Sequence, residues 1–238
     1  IVLFDADPRV REAASRLDLG RLVEDPRDAV EGADAVILCT PVGALGAAAA
    51  AMAEALKPGV IVTDVGSVKM RAIDLITPHL PDTAYFIPGH PIAGTEQSGP
   101  EAGFKDLFKG RWAILTPTDQ ARQGQEEALA RLADFWARLG SQVELMDARR
   151  HDLVLAITSH VPHLIAFNIV STAADLESVT QGEVVKFSAG GFRDFTRIAA
   201  SDPVMWRDVF LNNKEAVLEV LARFNEDLSA LARAIRWE

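Results

Sequence analysis

The chain has 238 residues, of which 49% are hydrophobic and 24% are charged, enough to bury the core of one or two domains. Its formal net charge of −10 argues against nonspecific nucleic-acid binding, which depends on neutralising phosphates with Lys and Arg. Cys39 is the single cysteine, which excludes an intrachain disulfide and favours a reducing compartment. No apolar run approaches the ~20 residues that span a bilayer, and no secretory signal is visible. We therefore expect a cytoplasmic protein that does not enter a membrane.

The first predicted element is a buried strand, residues 1–5, which ends in Asp5. A helix follows, opened by Pro8 and stopped by Gly20. In a dinucleotide-binding fold this would be the second strand, whose terminal acid binds the ribose hydroxyls of the cofactor. The first strand and its glycine-rich phosphate loop would then lie upstream of Ile1. We therefore regard the predicted cofactor domain as N-terminally incomplete.

Strands and helices alternate as far as residue 146. Continuous apolar runs predict strands at residues 35–39, 60–63, 85–87, 112–115 and 143–146. Strands that are apolar at every position are typical of a parallel sheet covered by helices on both faces. The pattern predicts a doubly wound α/β domain of the Rossmann type over residues 1–146.

Beyond residue 146 every predicted element is a helix. In the last of them, apolar residues recur at spacings of three and four: Val217, Leu221, Phe224, Leu228, Leu231 and Ile235. A seam of this length is more than a monomer of this size needs. We predict that residues 147–238 form a helical domain that binds substrate and makes a homodimer through its C-terminal helices.

Candidate cofactor-binding residues follow the predicted strands. Asp5 would accept hydrogen bonds from both ribose hydroxyls of NAD and would repel the 2′-phosphate of NADP, so NAD is the expected cofactor and NADP is less favoured. The alternative is a plain helix N-terminal acid, a role for which Asp7 is better placed. The residues after the next two strands are Thr40, Pro41, Asp64 and Gly66. They line the edge where open α/β sheets bind ligands, unless they are ordinary turns.

His90 is the candidate for proton transfer. A neutral imidazole accepts a proton near neutral pH, and Gly89 and Pro91 hold this one in non-helical backbone at the end of a predicted strand. Taken alone, a single histidine is more often structural. The pattern by itself leaves both roles open.

His160 and His163 lie three residues apart on one predicted helix, which Pro162 should kink. Two histidines at this spacing are compatible with a metal site. However, the sequence places no third ligand, and the pattern differs from the H-E-x-x-H motif of zinc enzymes. Core histidines are the alternative, and we expect no metal.

Arg193 and Arg197 lie four residues apart, with Asp194 between them. Arginine binds carboxylates through two parallel hydrogen bonds. The alternative is a solvated, charged helix face, but the neighbouring Phe192 and Phe195 predict a partly buried helix whose arginines need partners. An anionic substrate is therefore expected here.

Four segments resemble the prephenate and arogenate dehydrogenases, the NAD(P)-dependent enzymes of tyrosine biosynthesis. They are GHPIAGTEQSG at residues 89–99, GSVK at 66–69, TSHVPH at 158–163 and DFTR at 194–197. The resemblance runs through most of the chain. It implies a Rossmann-like domain followed by a helical dimerisation domain, and NAD-dependent oxidation and decarboxylation of prephenate, arogenate or both.

The resemblance also implies roles for single residues. His90 would accept from the ring hydroxyl of the substrate, Ser67 would help to place the nicotinamide near that hydroxyl, and Arg197 would hold a substrate carboxylate. The further residues that it places on the substrate side are Thr95, Glu96, His160, His163, Arg193 and Asp194. Glu96 or Asp194 would favour the ammonium group of arogenate electrostatically, which leaves the choice between the two substrates open.

Two other functions fit parts of the pattern. A dehydrogenase of β-hydroxy acids would keep both domains but usually needs a catalytic lysine. A noncatalytic NAD-binding regulator would also keep the fold. Neither explains why a proton-handling segment and a carboxylate-binding segment occur in one chain.

Overall fold

The computed structural model describes residues 1–95, 97–118, 123–177 and 183–237. Contacts divide the chain into two compact units, Ile1–Asp152 and Leu153–Glu238. The first unit contains the strands, and the second is helical.

Short strands and helices alternate through the first unit. Its strands are β1 (Val2–Leu3), β2 (Arg21–Leu22), β3 (Ala35–Leu38), β4 (Ile61–Asp64), β5 (Tyr85–Phe86), β6 (Gly89–Pro91), β7 (Trp112–Leu115) and β8 (Gln142–Leu145). Its helices are α1 (Pro8–Arg16), α2 (Pro26–Val30), α3 (Leu45–Met52), α4 (Lys69–Ile76), α5 (Gln125–Arg138) and α6 (Ala148–Leu155), the last of which runs on past Asp152 into the second unit. Strands and helices alternate as the sequence predicts, except that β5, β6 and β7 follow one another with no α-helix among the described residues between them.

Most neighbouring strands are parallel, as predicted. β1 pairs with β2, β4 lies between β3 and β5, and β7 pairs with β8, all in parallel. The difference is β6, which the sequence analysis treated only as the end of a strand. It pairs antiparallel with β7, with His90 opposite Ile114. The backbone of His90 is therefore fixed on one side by a strand ladder.

The core of this unit lies where the buried strands meet helix α5. All four residues of β4 are buried, as expected for a strand that is covered on both faces. The buried cluster beside α5 consists of Ile61, Ile87, Ala113, Leu115, Ala128, Leu132 and Trp136. This packing fixes β4, β7 and, through Ile87, the chain that leads into β6. Asp64 ends β4, and His90 lies on β6.

Helix α1 starts as the sequence predicts. Asp7 is its N-cap, and its Oδ1 accepts from the backbone N–H of Arg9 at 2.8 Å, with Pro8 in the first turn. Asp5 is therefore not the cap. Its Oδ1 accepts from the N–H of Asp7 at 2.8 Å, and the residue is exposed.

The second unit holds only helices and turns in the residues that the structure describes there, which confirms the helical prediction. A π-helical segment (Ala156–His160) leads into α7 (Val161–Glu177), and α8 (Glu183–Lys186), α9 (Gly190–Thr196), a 3₁₀ turn (Arg197–Ala200), α10 (Pro203–Asn212) and α11 (Lys214–Trp237) follow. The π-helical segment ends at His160, two residues before Pro162. The extra residue per turn adjusts the hydrogen-bond ladder at the point where proline has no N–H to donate.

The apolar seam of α11 is largely uncovered within the chain. Val217 at its start is buried, whereas Leu228, Leu231 and Ile235 are 51%, 61% and 83% exposed. A row of large apolar side chains in water is characteristic of an interaction surface.

One helical stretch is more apolar than the sequence analysis expected. The continuous helix Ala148–Glu177 is long and apolar enough to cross a membrane by length and composition alone, with a mean hydropathy of 1.7 in its most apolar window. This corrects the expectation that no segment approaches such a length. A single helix of this kind is weak evidence for a membrane, because core helices of other proteins pass the same test.

Candidate active site

A buried ion pair lies at the carboxyl end of β4. Lys69 Nζ contacts Asp64 Oδ2 and also donates to the carbonyl of Gly89 at 2.5 Å, and both charged side chains are completely buried. The Asp64 carboxylate also accepts from the N–H groups of Gly66, at 2.9 Å, and Gly89, at 3.3 Å. Burial lowers the pKa of Lys69, and the contact with Asp64 opposes that change.

The prediction that Asp64 contacts the cofactor differs from what this geometry shows. Its side chain is closed off from ligands and instead ties together three pieces of backbone: the end of β4, the β4–α4 turn and the start of β6. Gly66 and Ser67 lie in that turn, both partly exposed. The ion pair therefore acts on the site by fixing the two segments that carry Ser67 and His90.

Gly89 is required by close packing rather than by an unusual backbone conformation. A Cβ at this position would lie 3.0 Å from the carbonyl oxygen of Asp64 and 3.0 Å from Thr63 Oγ1. Both neighbours belong to the fully buried end of β4 and have no room to move. The absence of a side chain lets β6 approach β4 and sets the position of His90.

His90 contacts a second histidine. Its Nδ1 lies 2.9 Å from Nε2 of His151, with the two rings 5.1 Å apart and 65° inclined. His151 Nδ1 in turn lies 2.9 Å from Asp152 Oδ1. His151 is fully buried, whereas His90 is only partly buried. Burial lowers the pKa of His151, against the opposing effect of Asp152, so its neutral form is favoured.

Asp152 also caps helix α4. Its Oδ1 accepts from the backbone N–H of Lys69 at 2.7 Å and its Oδ2 from that of Met70 at 2.9 Å. One side chain thus joins the start of α4 to the pair of histidines.

The predicted cofactor positions lie at the carboxyl ends of the parallel strands. Thr40 and Pro41 follow β3, and Thr40 Oγ1 is buried with no hydrogen-bond partner in the described part of the chain. Buried hydroxyls are normally satisfied, so this one fits a ligand with polar groups. The exposed carboxylate of Asp5 follows β1. Asp5 and Thr40 fit a dinucleotide. Gly66 is required by packing, because a Cβ there would lie 3.0 Å from Asp64 Oδ2 and 3.2 Å from Val42 Cγ2.

The second unit brings His160 and His163 together around Trp206. His163 stacks on the indole ring at 3.6 Å between centroids, and His160 meets it edge-on at 6.1 Å. His160 Nδ1 lies 3.0 Å from Asn213 Nδ2, and His163 Nδ1 donates to the carbonyl of Ser159 at 2.8 Å. Each histidine therefore has its own partner. Within the described ranges, no group of three His, Cys, Asp or Glu side chains is placed to hold a metal ion.

The remaining predicted residues lie on exposed backbone. Arg193 and Asp194 are on α9, and Arg197 begins the 3₁₀ turn that follows; all three are exposed. Both segments pack against α7 of the same unit. Thr95 is also exposed, and its Oγ1 accepts from the N–H of Gln97 at 3.2 Å. Glu96 lies outside the described residues.

Sequence reasoning gave no role to Lys69 or Asp152, and it regarded His151 only as a further candidate histidine near the predicted domain boundary. Lys69 lies in the GSVK segment, but lysine is seldom buried. Its burial becomes apparent only once the structure shows its partner, Asp64. His151 and Asp152 follow the last strand and contact residues more than sixty positions earlier. The signal that was available is an adjacent His–Asp pair at the start of the predicted helical region.

These elements define a class of protein. Parallel strands carry polar groups at their carboxyl ends, and a partly exposed histidine is held beside them through a buried histidine and a carboxylate. That combination is typical of a nucleotide-dependent dehydrogenase.

Comparison with known proteins identifies the family. A family model described as "Prephenate dehydrogenase, nucleotide-binding domain" matches residues 1–145, and one described as "Prephenate dehydrogenase, dimerization domain" matches residues 147–238. The chain belongs to the prephenate dehydrogenase family, as its motifs predicted. The predicted fold class, a Rossmann-like domain followed by a helical dimerisation domain, is confirmed by the same matches.

Three relatives show the extent of the similarity. The cyclohexadienyl dehydrogenase of Zymomonas mobilis is 44% identical over 236 residues, which cover 99% of this chain and 79% of the relative. The prephenate dehydrogenase of Aquifex aeolicus, solved with hydroxyphenyl propionate and NAD+, is 34% identical, with a TM-score of 0.85 over 99% of this chain and 81% of that one. The Synechocystis arogenate dehydrogenase is 26% identical, with a TM-score of 0.77 over 99% and 84%.

Proposed function

We propose that this protein catalyses the NAD-dependent oxidative decarboxylation of prephenate, of arogenate, or of both. The observation that carries the proposal is the chain of contacts from Asp152 through His151 to the partly exposed His90, which lies on β6 beside the carboxyl ends of the parallel strands. The named relatives, which include a cyclohexadienyl and an arogenate dehydrogenase, support the choice of substrates.

The reaction needs little from the protein beyond binding and proton handling. Prephenate has a ring hydroxyl, a ring carboxylate and a side-chain carboxylate. Loss of hydride from the carbinol carbon leaves a carbonyl; the ring carboxylate then departs as CO2, and its bonding electrons make the ring aromatic. The proton given up by the hydroxyl returns to the same oxygen. One hydride and one CO2 leave the substrate, with no net release of a proton.

His90 is the proposed proton acceptor, with Ser67 beside the nicotinamide. His90 Nε2 takes the hydroxyl proton during the oxidation and returns it as the phenol forms. Among the residues of the second unit, Arg197 holds a substrate carboxylate. Arg193, Asp194, His160 and His163 have supporting roles on the substrate side, as do Thr95 and Glu96 of the first unit. Asp194 or Glu96 would favour the ammonium group of arogenate.

The residues proposed to hold NAD are Asp5, Thr40, Pro41 and Gly66. Asp5 accepts from the ribose hydroxyls, and the unsatisfied hydroxyl of Thr40 gains a hydrogen-bond partner. Bound NAD+ supplies the hydride acceptor. A carboxylate at residue 5 repels the 2′-phosphate of NADP, which supports NAD as the preferred cofactor.

The competing functions fit less well. A β-hydroxy acid dehydrogenase usually needs a catalytic lysine, but Lys69, the lysine at this site, is fully buried, and its Nζ contacts Asp64 and the carbonyl of Gly89. A noncatalytic NAD-binding regulator would have no need of the contacts that hold His90.

The proposal also covers the oligomeric state, the cellular location and the domain boundary of the protein. The exposed seam on α11 and the match to a dimerization domain support a homodimer made through the C-terminal helices. We also propose a cytoplasmic enzyme that does not enter a membrane. We place the boundary between its two functional domains after residue 146.

The test is the activity of His90→Asn against that of His79→Asn, a matched change at an exposed histidine. NADH formation by the full-length protein is measured with NAD and each substrate in turn. His90→Asn should lose about 10²–10⁴-fold in kcat, the usual contribution of a general base, and His79→Asn should match the wild type. Equal activity of the two variants would refute the role of His90.

A further inference from the structure

The tautomer of His90, that is, which of its ring nitrogens carries the proton, depends on the hydrogen bond that Nδ1 makes with His151. We propose that His151 and Asp152 are positioning residues that keep the proton of His90 on Nδ1, so that Nε2 is the atom that accepts from the substrate hydroxyl. This inference rests on the proposed function for its role in turnover. The tautomer itself is a property of the protein without substrate.

The direction of each hydrogen bond follows from Asp152. Both of its oxygens already accept from backbone N–H groups, those of Lys69 and Met70, so its carboxylate acts as an acceptor. His151 Nδ1 must therefore donate to it. A neutral His151 then has only a lone pair on Nε2, and His90 Nδ1 must be the donor across the 2.9 Å contact.

The direction of these two hydrogen bonds depends on His151 being neutral. If His151 were charged, both of its nitrogens would donate, and His90 Nδ1 would have to accept. A neutral His90 would then carry its proton on Nε2, and that atom could not accept a proton from the substrate. Burial disfavours that charged form. The groups around His151 are Asp152 and His90 in contact, with Lys69 and Asp64 acting at longer range. Lys69 opposes a charge on His151, whereas the two carboxylates favour it.

Rigid backbone holds the far end of this chain. Asp152 is fixed by two hydrogen bonds to the first turn of α4, a helix that packs against α3. At the other end, β6 fixes His90 by its pairing with β7 and by the close approach of Gly89 to β4. The contacts from Asp152 to His90 therefore lie between two segments that are held by backbone hydrogen bonds, which is what the orientation of a catalytic imidazole requires.

A structural role alone is the competing explanation, since Asp152 caps α4 whatever His151 does. Two substitutions separate the roles. His151→Leu removes the acceptor for His90 Nδ1, whereas His151→Gln keeps a carbonyl oxygen that can accept from it. Asp152→Asn keeps an acceptor for the cap but adds a donor, which allows His151 to reverse its tautomer. Replacement of the carboxylate by its amide in the serine protease triad is the precedent for such a loss.

The first readout is the tautomer of His90 by nitrogen-15 NMR of the full-length protein without substrate or NAD. The signal of His90 is identified as the one missing from His90→Asn. We expect a proton on Nδ1 in the wild type and in His151→Gln, and the Nε2–H form, which free imidazole prefers, in His151→Leu and Asp152→Asn. A wild-type His90 with its proton on Nε2 overturns the inference whether or not the protein turns over prephenate.

The second readout is turnover. His151→Leu and Asp152→Asn should lose at least about 10²-fold in kcat with little change in KM, and His151→Gln should recover most of that loss. A purely structural role predicts instead that both substitutions of His151 act alike and follow the loss of stability. If His151→Leu does not fold, the wild-type tautomer and the His151→Gln variant decide. Inactivity of the wild type with a proton on Nδ1 would refute the proposed reaction and leave the positioning intact.

Discussion

The buried pair of Asp64 and Lys69 gives the sharpest prediction of stability. In Lys69→Met, the Asp64 carboxylate keeps its two backbone donors but loses its countercharge in a completely buried position, and the carbonyl of Gly89 loses the lysine donor. Removal of one partner from a buried pair costs about 3–5 kcal/mol, a large part of the free energy of unfolding of a typical domain. Asp64→Asn added to Lys69→Met should restore a good part of it, because no buried charge is left.

Urea unfolding of the purified protein measures this cost, with Lys57→Met as the matched control. Lys57 also contacts a carboxylate, that of Asp34 at 2.6 Å, but this pair is exposed and should contribute about 1 kcal/mol or less. With a urea m-value of about 2 kcal/mol per M, Lys69→Met should lower the midpoint by about 1.5–2.5 M. A loss no larger than that of Lys57→Met would show that the reasoning about the buried pair is wrong.

Three further predictions concern other residues of the first unit. Gly89→Ala should destabilise the protein by about 1–3 kcal/mol because its Cβ would crowd β4, while Gly103→Ala, which has a single contact at 3.4 Å, should be nearly neutral in the same melts. Asp5→Ala should weaken NAD binding about 10- to 100-fold in a fluorescence titration, with exposed Asp28→Ala unchanged; equal affinities would exclude the ribose contact. The free energy of unfolding should decrease as the pH is lowered below about 6.5. The pKa of His151 is lowered in the folded protein, so the unfolded chain binds the proton at a higher pH than the folded protein does. An equal decrease in His151→Gln would contradict this cause.

Much of the fold follows from local patterns in the sequence. The apolar run at residues 60–63 corresponds to β4, and the amphipathic pattern around Leu132 and Trp136 corresponds to α5. Both signals are strong because burial determines them residue by residue. Strand β6 could not be predicted in this way, since Gly89, His90 and Pro91 carry no strand pattern and their ladder depends on β7, more than twenty residues later.

The candidate site was predictable only in part. His90 was found from its motif, and the geometry adds the contacts that hold it. His151 lies near the predicted domain boundary, and its partner on β6 is 61 residues away. Burial of Lys69 is likewise a tertiary property, since only the fold brings Asp64 and the carbonyl of Gly89 to one ammonium group. Contacts of this kind cannot be read from composition or periodicity.

The reaction itself is tested most directly by following NADH formation and CO2 release together. The full-length protein is supplied with NAD and either prephenate or arogenate. The account predicts that at least one substrate yields NADH and CO2 in a one-to-one ratio. A folded protein that binds NAD but forms neither product from either substrate would contradict it.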